Sequence, residues 1–222
     1  MFEIIISKIL RPASRKVRRF LDALIERRLG IETSKVVTLR ELGISASNRV
    51  DYEPSSWLAL RRVLSQRDVT AQDVFIDFGC GKGRILVQAA KYPFRKIIGV
   101  ELSTELIAIA RRNLERVLPA LLCRNIELVN KDVLHYEIPD EVTIAYFYNP
   151  FEGEIFAAVV DKLVASIRRR PRVLRIIYCS PREEGTLLAA GARVVKIVGG
   201  MRPTARWSRL SSIRLYALMP PV

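Results

Sequence analysis

Histidine and cysteine are scarce in this chain of 222 residues, and their scarcity excludes several kinds of site. His135 is the single histidine, and Cys80, Cys123 and Cys179 are isolated, with no C-x-x-C pair. The usual zinc sites, which need clustered thiol and imidazole ligands, are therefore excluded. An odd number of isolated cysteines also argues against a disulfide framework and suits a reducing compartment, so we expect a cytoplasmic protein.

Long hydrophobic runs are absent too. The longest apolar stretches are far shorter than the roughly 18 residues that a membrane-spanning helix needs, and no signal peptide with a small-residue cleavage site is visible. Hydrophobic residues nevertheless make up 50% of the chain, which excludes a disordered protein. The length predicts one domain of ordinary size plus an extension, with room for a sizeable core.

Acidic residues are in the minority. The chain has 37 Lys and Arg against 23 Asp and Glu, a net charge of +14. A surplus of this size favours polyanionic partners such as RNA, acidic membrane or anionic glycan. The alternative is a GC-rich genome that encodes arginine wherever the surface needs a cation.

Residues 1–50 are predicted to form a basic helical extension to a domain spanning residues 51–222. Apolar residues repeat at helical spacing in a short stretch that stops near Pro12 and again up to Leu29, where Gly30 is a natural helix stop. A basic amphipathic helix can lie on an anionic membrane, so residues 1–30 are a candidate for peripheral membrane contact. The alternative is that this helix packs on its own domain.

The rest of the chain alternates between strand and helix patterns. A helix is predicted to start at Pro54. The strands that follow are predicted at 74–78, 96–100, 126–129, 142–148, 173–179, 193–198 and 212–218, and the helices at 83–91, 104–118, 152–169 and 182–190. This alternation predicts an α/β fold with a doubly wound, mostly parallel seven-stranded sheet. The last two strands have no helix between them, which predicts one antiparallel addition.

A glycine-rich turn stands between the first strand and the helix after it. The sequence from Asp77 to Gly83 has glycine at every second position, at 79, 81 and 83. Glycine lets a backbone approach a ligand closely and adopt positive φ. Glu101 follows a second apolar run, where a doubly wound fold presents an acid to ribose hydroxyls. Together these features predict a nucleotide-like cofactor.

The spacing discriminates between cofactors. The dinucleotide fingerprint would need glycine or alanine at position 84, which is Arg84, and a P-loop would need Ser or Thr after its lysine, whereas Gly83 follows Lys82. The pattern present, acid-x-G-x-G-x-G, resembles motif I of the class I S-adenosylmethionine-dependent methyltransferases. The resemblance covers roughly residues 51–220. It implies the Rossmann-like methyltransferase fold, S-adenosyl-L-methionine as cofactor and methyl transfer as activity.

The resemblance also implies roles for individual residues. Asp77 would accept a hydrogen bond from the methionine amino group or orient the loop, and Glu101 would bind the ribose. Asp132 is similar to the acid that contacts the adenine amino group, the alternative being an ordinary loop aspartate. The cofactor-binding residues that the resemblance implies are Asp77, Gly79, Cys80, Gly81, Gly83, Glu101, Leu102, Asp132, Val133 and Asn149.

Asn149-Pro150-Phe151 resembles the Asn/Asp-Pro-Pro-Tyr/Phe motif of amino-group methyltransferases, in which oxygen atoms accept hydrogen bonds from the target amine. The second proline is missing and the aromatic residue is one place closer. The alternative for Asn149 is a cap for the helix near residue 152. Tyr52 stands in a Tyr-x-Pro pattern similar to that of bacterial methyltransferase-like sequences. The catalytic candidates are therefore Asn149, Pro150, Phe151 and Tyr52.

The motifs and the charge leave three candidate functions. The resemblance favours N-methylation of an amine in a protein or small molecule. The charge supports an RNA methyltransferase instead, with the arginines at 168, 169, 170, 172 and 175 as its surface, although no RNA-binding module is recognisable. The third alternative is a non-catalytic cofactor-binding module, against which the intact glycines and Glu101 argue. No metal is implied.

Overall fold

The computed structural model describes residues 11–44, 47–199 and 212–220, with side chains from residue 20 onward. The predicted apolar stretch before Pro12 and most of the loop before the last strand lie outside the described residues. The strands are β1 Val74–Phe78, β2 Lys96–Glu101, β3 Ile126–Asn130, β4 Ile144–Phe147, β5 Leu174–Cys179, β6 Arg193–Gly199 and β7 Ser212–Leu218. The α-helices are α1 Arg11–Leu29, α2 Ala59–Val63, α3 Arg84–Ala89, α4 Thr104–Val117, α5 Gly153–Arg169 and α6 Glu184–Ala189.

The described strands form one seven-stranded sheet in the order β3-β2-β1-β4-β5-β7-β6. Strands β1 to β5 run parallel, and β7 is antiparallel to both of its neighbours. The predicted fold class is therefore confirmed, including the antiparallel addition. Because the carboxyl ends of parallel strands meet at one edge, the loops after β1, β2, β3 and β4 gather there.

The core lies on both faces of the sheet, as a parallel sheet covered by helices requires. Within β1, the Phe75 side chain joins the cluster that packs against α2 and α3, whereas Val74 and Ile76 join the cluster beneath α5. Helix α5, predicted at 152–169, buries one apolar stripe against the sheet, with Phe156 and Val159 fully covered. β1 is buried throughout, so the loop that follows it starts from a rigid support.

The prediction of a helix from Pro54 is wrong, because α2 begins only at Ala59. Residues before it are drawn into other contacts. The backbone of Tyr52 pairs with Val37, and the Ser55 carbonyl accepts a hydrogen bond from the Arg84 side chain. These bonds hold the segment in an extended conformation.

Helix α1 ends at Leu29, and Gly30 follows with φ of +67°, which confirms the predicted stop. Of its repeating apolar residues, Ile25 and Leu29 pack against the core, as the alternative of a helix packed on its own domain implies. The carboxylates of Asp22 and Glu26 are buried, whereas Phe20 is 65% exposed. No helix in the described part of the chain is both long and apolar enough to cross a membrane. Contact of residues 1–30 with an anionic membrane stays a prediction.

Candidate functional site

A cavity of about 240 Å³ lies at the edge of the sheet where the parallel strands end. Two walls enclose it. The sheet wall comes from the loops after β1 to β4 and includes Asp77, Gly79, Cys80, Glu101, Leu102, Val133, Asn149, Pro150 and Phe151. The N-terminal wall comes from the segment before α2 and consists of Leu39, Leu42, Ile44, Arg49, Val50, Asp51, Tyr52, Glu53, Pro54 and Ser55. Most of the residues predicted from sequence are thus brought together, whereas Gly81, Gly83 and Asp132 do not line the cavity.

Asp77 is a buried acid whose carboxyl has no hydrogen-bond partner among the described residues. It is only 3% exposed and lines the cavity. Burial, and secondarily the nearby carboxylate of Glu101, raise the pKa of Asp77 well above its usual value. A buried carboxyl that lacks a partner on the cavity wall is suited to a cationic ligand group.

The glycines of the loop permit close packing between the two walls. Gly79 and Gly81 have φ of +73° and +51°, in the left-handed region. A Cβ on Gly79 would lie 2.4 Å from Cβ of Pro150, and one on Gly81 would lie 2.2 Å from the Tyr52 ring. The loop after β1 is therefore in contact with both Pro150 and the N-terminal wall. At these two positions glycine is required by neighbouring side chains.

Glu101 ties the glycine loop to β2. Its carboxylate accepts hydrogen bonds from the backbone N–H of Gly81 at 3.0 Å and of Ser103 at 2.9 Å. Burial raises the pKa of Glu101, and these backbone hydrogen bonds oppose the rise. The side chain lines the cavity, but a hydrogen bond to ribose stays a prediction.

Asp132 is engaged at the rim. Its carboxylate accepts from Arg49 at 2.6 Å and from the backbone N–H of Leu134 at 2.9 Å. Burial alone would raise its pKa, but these hydrogen bonds outweigh burial and the pKa of Asp132 is lowered. The following residue, Val133, lines the cavity instead. The predicted contact of Asp132 with adenine stays a prediction.

Asn149 is fixed on the cavity wall by strand β5. It is 6% exposed with φ of +45°. Its Oδ1 accepts from the Tyr178 hydroxyl at 2.9 Å, and its Nδ2 donates to the Ser180 carbonyl at 3.1 Å. The alternative role as a helix cap is wrong, because Glu152 precedes the first residue of α5 and the Asn149 side chain turns toward β5.

The aromatic residues around Asn149 have different environments. Tyr146 and Phe147 are buried, yet Tyr146 also reaches the cavity, and its hydroxyl donates to Ser55 Oγ at 2.9 Å. Tyr148 is half-buried and lines the cavity. Phe151 lines it too, but packs on Phe147 with ring centroids 6.2 Å apart.

The N-terminal wall is the part of the site that sequence reasoning missed. Backbone hydrogen bonds join Tyr52 to Val37 at 2.9 and 3.2 Å, and the backbone N–H of Glu152 donates to the Asn48 carbonyl at 2.9 Å. The wall is thereby attached to the loop after β4. The Tyr-x-Pro pattern at Tyr52 was the single sequence signal for it.

Comparison with known proteins agrees with the fold and the glycine loop. Residues 75–174, a little under half of the chain, match a family described as "Methyltransferase domain". This match, the strand order and the acid-x-G-x-G-x-G loop agree with one another, and over residues 75–174 the chain is similar to methyltransferases.

Two curated relatives match over short stretches. One, 40% identical over 68 residues, is a protein-lysine N-methyltransferase of Saccharolobus islandicus; the match covers 30% of this chain and 42% of the relative. The other, 31% identical over 80 residues, is ribosomal RNA small subunit methyltransferase A of Desulforapulum autotrophicum; the match covers 36% of this chain and 26% of the relative. The chain therefore matches less than half the length of either.

Among solved structures, a tRNA m1G37 methyltransferase of M. jannaschii superposes with a TM-score of 0.53 at 15% identity. The superposition covers 76% of this chain and 51% of that one. At this identity the likeness shows a shared fold.

Proposed function

We propose that this chain is an S-adenosylmethionine-dependent N-methyltransferase whose acceptor is the side-chain amine of lysine in a protein. The observation that carries the proposal is the packing of Gly79 against Pro150. This contact joins the loop expected to hold the cofactor to the motif expected to hold the acceptor. Donor and acceptor would then meet in one cavity, and holding them in position can supply several kcal/mol of the barrier to transfer.

The residues of the sheet wall fit the cofactor. Asp77, buried and without a hydrogen-bond partner among the described residues, would accept from the ammonium of the methionine moiety. Glu101 would accept from the ribose hydroxyls, and Leu102 and Val133 would cover the adenine. When bound, S-adenosylmethionine supplies a methyl group activated on a positively charged sulfur. No metal is needed for this chemistry.

Asn149 would orient the acceptor. The carbonyl oxygen of an amide has two lone pairs, and Tyr178 occupies one, so the second is available to an N–H of the incoming amine. The amine nitrogen forms its bond to the methyl carbon as the carbon–sulfur bond breaks and its electron pair stays on sulfur. The amine loses its proton to solvent in this proposal, and His135 has no part in the step, because it is exposed and lies outside the cavity lining.

Lysine is favoured over RNA by two observations. The relative with the higher identity is a protein-lysine methyltransferase. In addition, the arginines that would serve RNA lie where β5 begins, at the opposite end of that strand from the cavity. Arg169 pairs with Asp140, Arg172 donates to the carbonyl of Val142, and Arg175 pairs with Asp73.

The test is methyl transfer from labelled S-adenosylmethionine by the full chain to three separate acceptors: a mixture of lysine-rich proteins, total RNA and a small-molecule extract. We expect label in the proteins, recovered as Nε-methyllysine after hydrolysis. The same proteins acetylated on lysine are the control and should take up none, because the amide nitrogen is not nucleophilic. Label confined to RNA would contradict the acceptor, and cofactor binding without transfer to any fraction would contradict the activity.

A further inference from the structure

The side chain of Arg84, at the end of the glycine loop, points into the N-terminal segment. It is 2% exposed although arginine is among the residues least often buried. A guanidinium has five N–H donors, and here each has an acceptor. The acceptors lie at 2.7–3.0 Å and are Thr33 Oγ1, Asp22 Oδ2, the Ser55 carbonyl, Glu26 Oε1 and Ser34 Oγ.

All five acceptors belong to residues 22–55, before the first core helix. The indole ring of Trp57, two residues further on, stacks under the guanidinium at 4.8 Å. Glu26 is itself held, because its Oε1 also accepts from the Thr33 backbone N–H at 3.0 Å. Arg84 is therefore held in a rigid cluster, which we call the arginine cluster: Asp22, Glu26, Thr33, Ser34, Ser55, Trp57 and Arg84.

Other residues of the glycine loop also contact the N-terminal segment. Lys82 is 1% exposed, and its Nζ donates to Glu32 at 2.6 Å. The Tyr52 ring covers Gly81, and its hydroxyl donates to the Thr33 carbonyl at 2.7 Å. The N-terminal segment thus holds the side chains of Lys82 and Arg84, whereas Asp77 of the same loop lines the cavity, which Arg84 also borders.

We infer that the N-terminal segment 22–57 sets the conformation of the glycine loop through Arg84, and that Arg84, Asp22 and Glu26 are positioning residues for the cofactor. The argument is one of geometry. Arg84 directly follows Gly83, whose φ of +83° allows the loop to turn into α3, so a shift of the guanidinium moves the loop. The predicted boundary at residue 51 would then separate two parts of one binding site.

The burial of two carboxylates on a basic helix supports this role. Helix α1 has its Asp and Glu residues at 22 and 26, and both are buried against Arg84. A buried charge pair adds little stability compared with apolar packing, but it specifies position, because moving either partner leaves a charge unpaired. The cluster therefore holds the loop in one place.

The test compares Glu26→Gln with Asp73→Asn. Asp73 is a matched control: like Glu26, it accepts from an arginine, Arg175, and from a threonine hydroxyl, Thr143, but it lies before β1 at the opposite edge of the sheet. Both variants lose one carboxylate from a partly or fully buried arginine pair. We measure the Kd for S-adenosylhomocysteine by calorimetry, the melting temperature, and hydrogen exchange of the backbone amides at 79–84.

We expect Glu26→Gln to raise the Kd about tenfold, the scale of one charge-assisted hydrogen bond, and to speed amide exchange in the loop. In the Glu26→Gln variant, kcat at saturating S-adenosylmethionine should change much less than the KM for S-adenosylmethionine. Asp73→Asn should lower the melting temperature yet leave Kd and loop exchange unchanged. A normal Kd and normal loop exchange in a destabilised Glu26→Gln protein would overturn the inference.

If Glu26→Gln does not fold, Ser34→Ala decides, because it removes a single hydrogen bond from Arg84 at the half-buried side of the cluster. A Kd equal to that of wild type would then overturn the inference, and a raised Kd would support it. The inference rests on the proposed function. Failure of this inference can be distinguished from failure of the proposed function. A wild-type protein that does not bind S-adenosylhomocysteine would contradict the function itself.

Discussion

The two walls of the cavity differ in how their residues are held. On the sheet wall the residues lie at the ends of parallel strands or in the loops directly after them, so the sheet register helps to set their positions; Asp77, for example, pairs with Gly99 on one side and Tyr146 on the other. Among the described residues, no strand of the sheet belongs to the N-terminal wall. It is held by side-chain contacts and isolated backbone pairs, such as those joining Arg49 to Asp132 and Tyr52 to Val37.

This difference indicates that the sheet wall binds ligands, whereas the N-terminal segment supports the glycine loop. The sheet wall carries groups with unused hydrogen-bonding capacity, Asp77 above all, which are suited to ligands. Several polar groups of the N-terminal segment are engaged with the glycine loop, as the five hydrogen bonds of Arg84 show. We therefore expect substitutions on the sheet wall to remove function directly, and substitutions in the N-terminal segment to act through the loop.

The largest effect is expected where the walls touch. Gly81→Ala would place a methyl group 2.2 Å from the Tyr52 ring at a φ of +51°, so the loop or the wall must move. The left-handed conformation alone costs about 1–2 kcal/mol for alanine. Both cofactor binding and methyl transfer should be lost, as calorimetry and the label assay would show. Gly185→Ala, where a Cβ meets nothing within 4 Å, is the control and should leave both unchanged.

Asn149→Gly should abolish transfer and spare cofactor binding. Glycine tolerates the φ of +45° at this position, so the change removes the side chain without straining the backbone. The lost hydrogen bonds to Tyr178 and Ser180 should cost about 1–2 kcal/mol of stability. Turnover at the wild-type rate in a folded Asn149→Gly protein would show that the side chain does not orient the acceptor.

Asp77→Asn should weaken S-adenosylhomocysteine binding about 10- to 100-fold, because the ammonium loses a charged acceptor. The same change should stabilise the free protein. An acid whose folded pKa is raised favours folding below its unfolded pKa, and this contribution is lost as pH rises through the raised value. Asparagine stays neutral, so its advantage in melting temperature should be present at pH 8 and shrink on acidification. A lower melting temperature for the variant at pH 8 would mean that the Asp77 carboxylate has a partner in the free protein.

The smallest effect is expected at the opposite edge of the sheet. Arg169 and Asp140 form an ion pair with side chains 53% and 35% exposed, and exposed pairs contribute little. The hydrogen bond from Arg169 lowers the pKa of Asp140 to about 2, so this contribution is present above the usual pKa and lost as pH falls toward that value. At pH 7, Arg169→Ala should leave both melting temperature and transfer to protein unchanged. A selective loss of transfer to RNA would favour the RNA alternative.

The sheet and its wall could be predicted from the sequence because their signals are local. The alternation of apolar strands and helices predicts the mostly parallel seven-stranded sheet, and Asp77, Glu101 and Asn149 each stand at or near the end of a strand. The N-terminal wall could not be predicted, since its contacts join residues far apart in sequence, such as Arg84 with Asp22 or Arg49 with Asp132. Arg84 was noticed only as a departure from the dinucleotide fingerprint, whereas the structure shows it at the centre of a buried cluster.

The measurement that tests the account most directly is a titration of the full-length chain with S-adenosylhomocysteine and, in parallel, with NAD. The account predicts that S-adenosylhomocysteine binds one equivalent and raises the melting temperature, while NAD does neither, because Arg84 stands where the dinucleotide fingerprint needs glycine or alanine. A folded chain that binds NAD, or that binds no S-adenosylhomocysteine, would contradict the cofactor assignment and the function built on it.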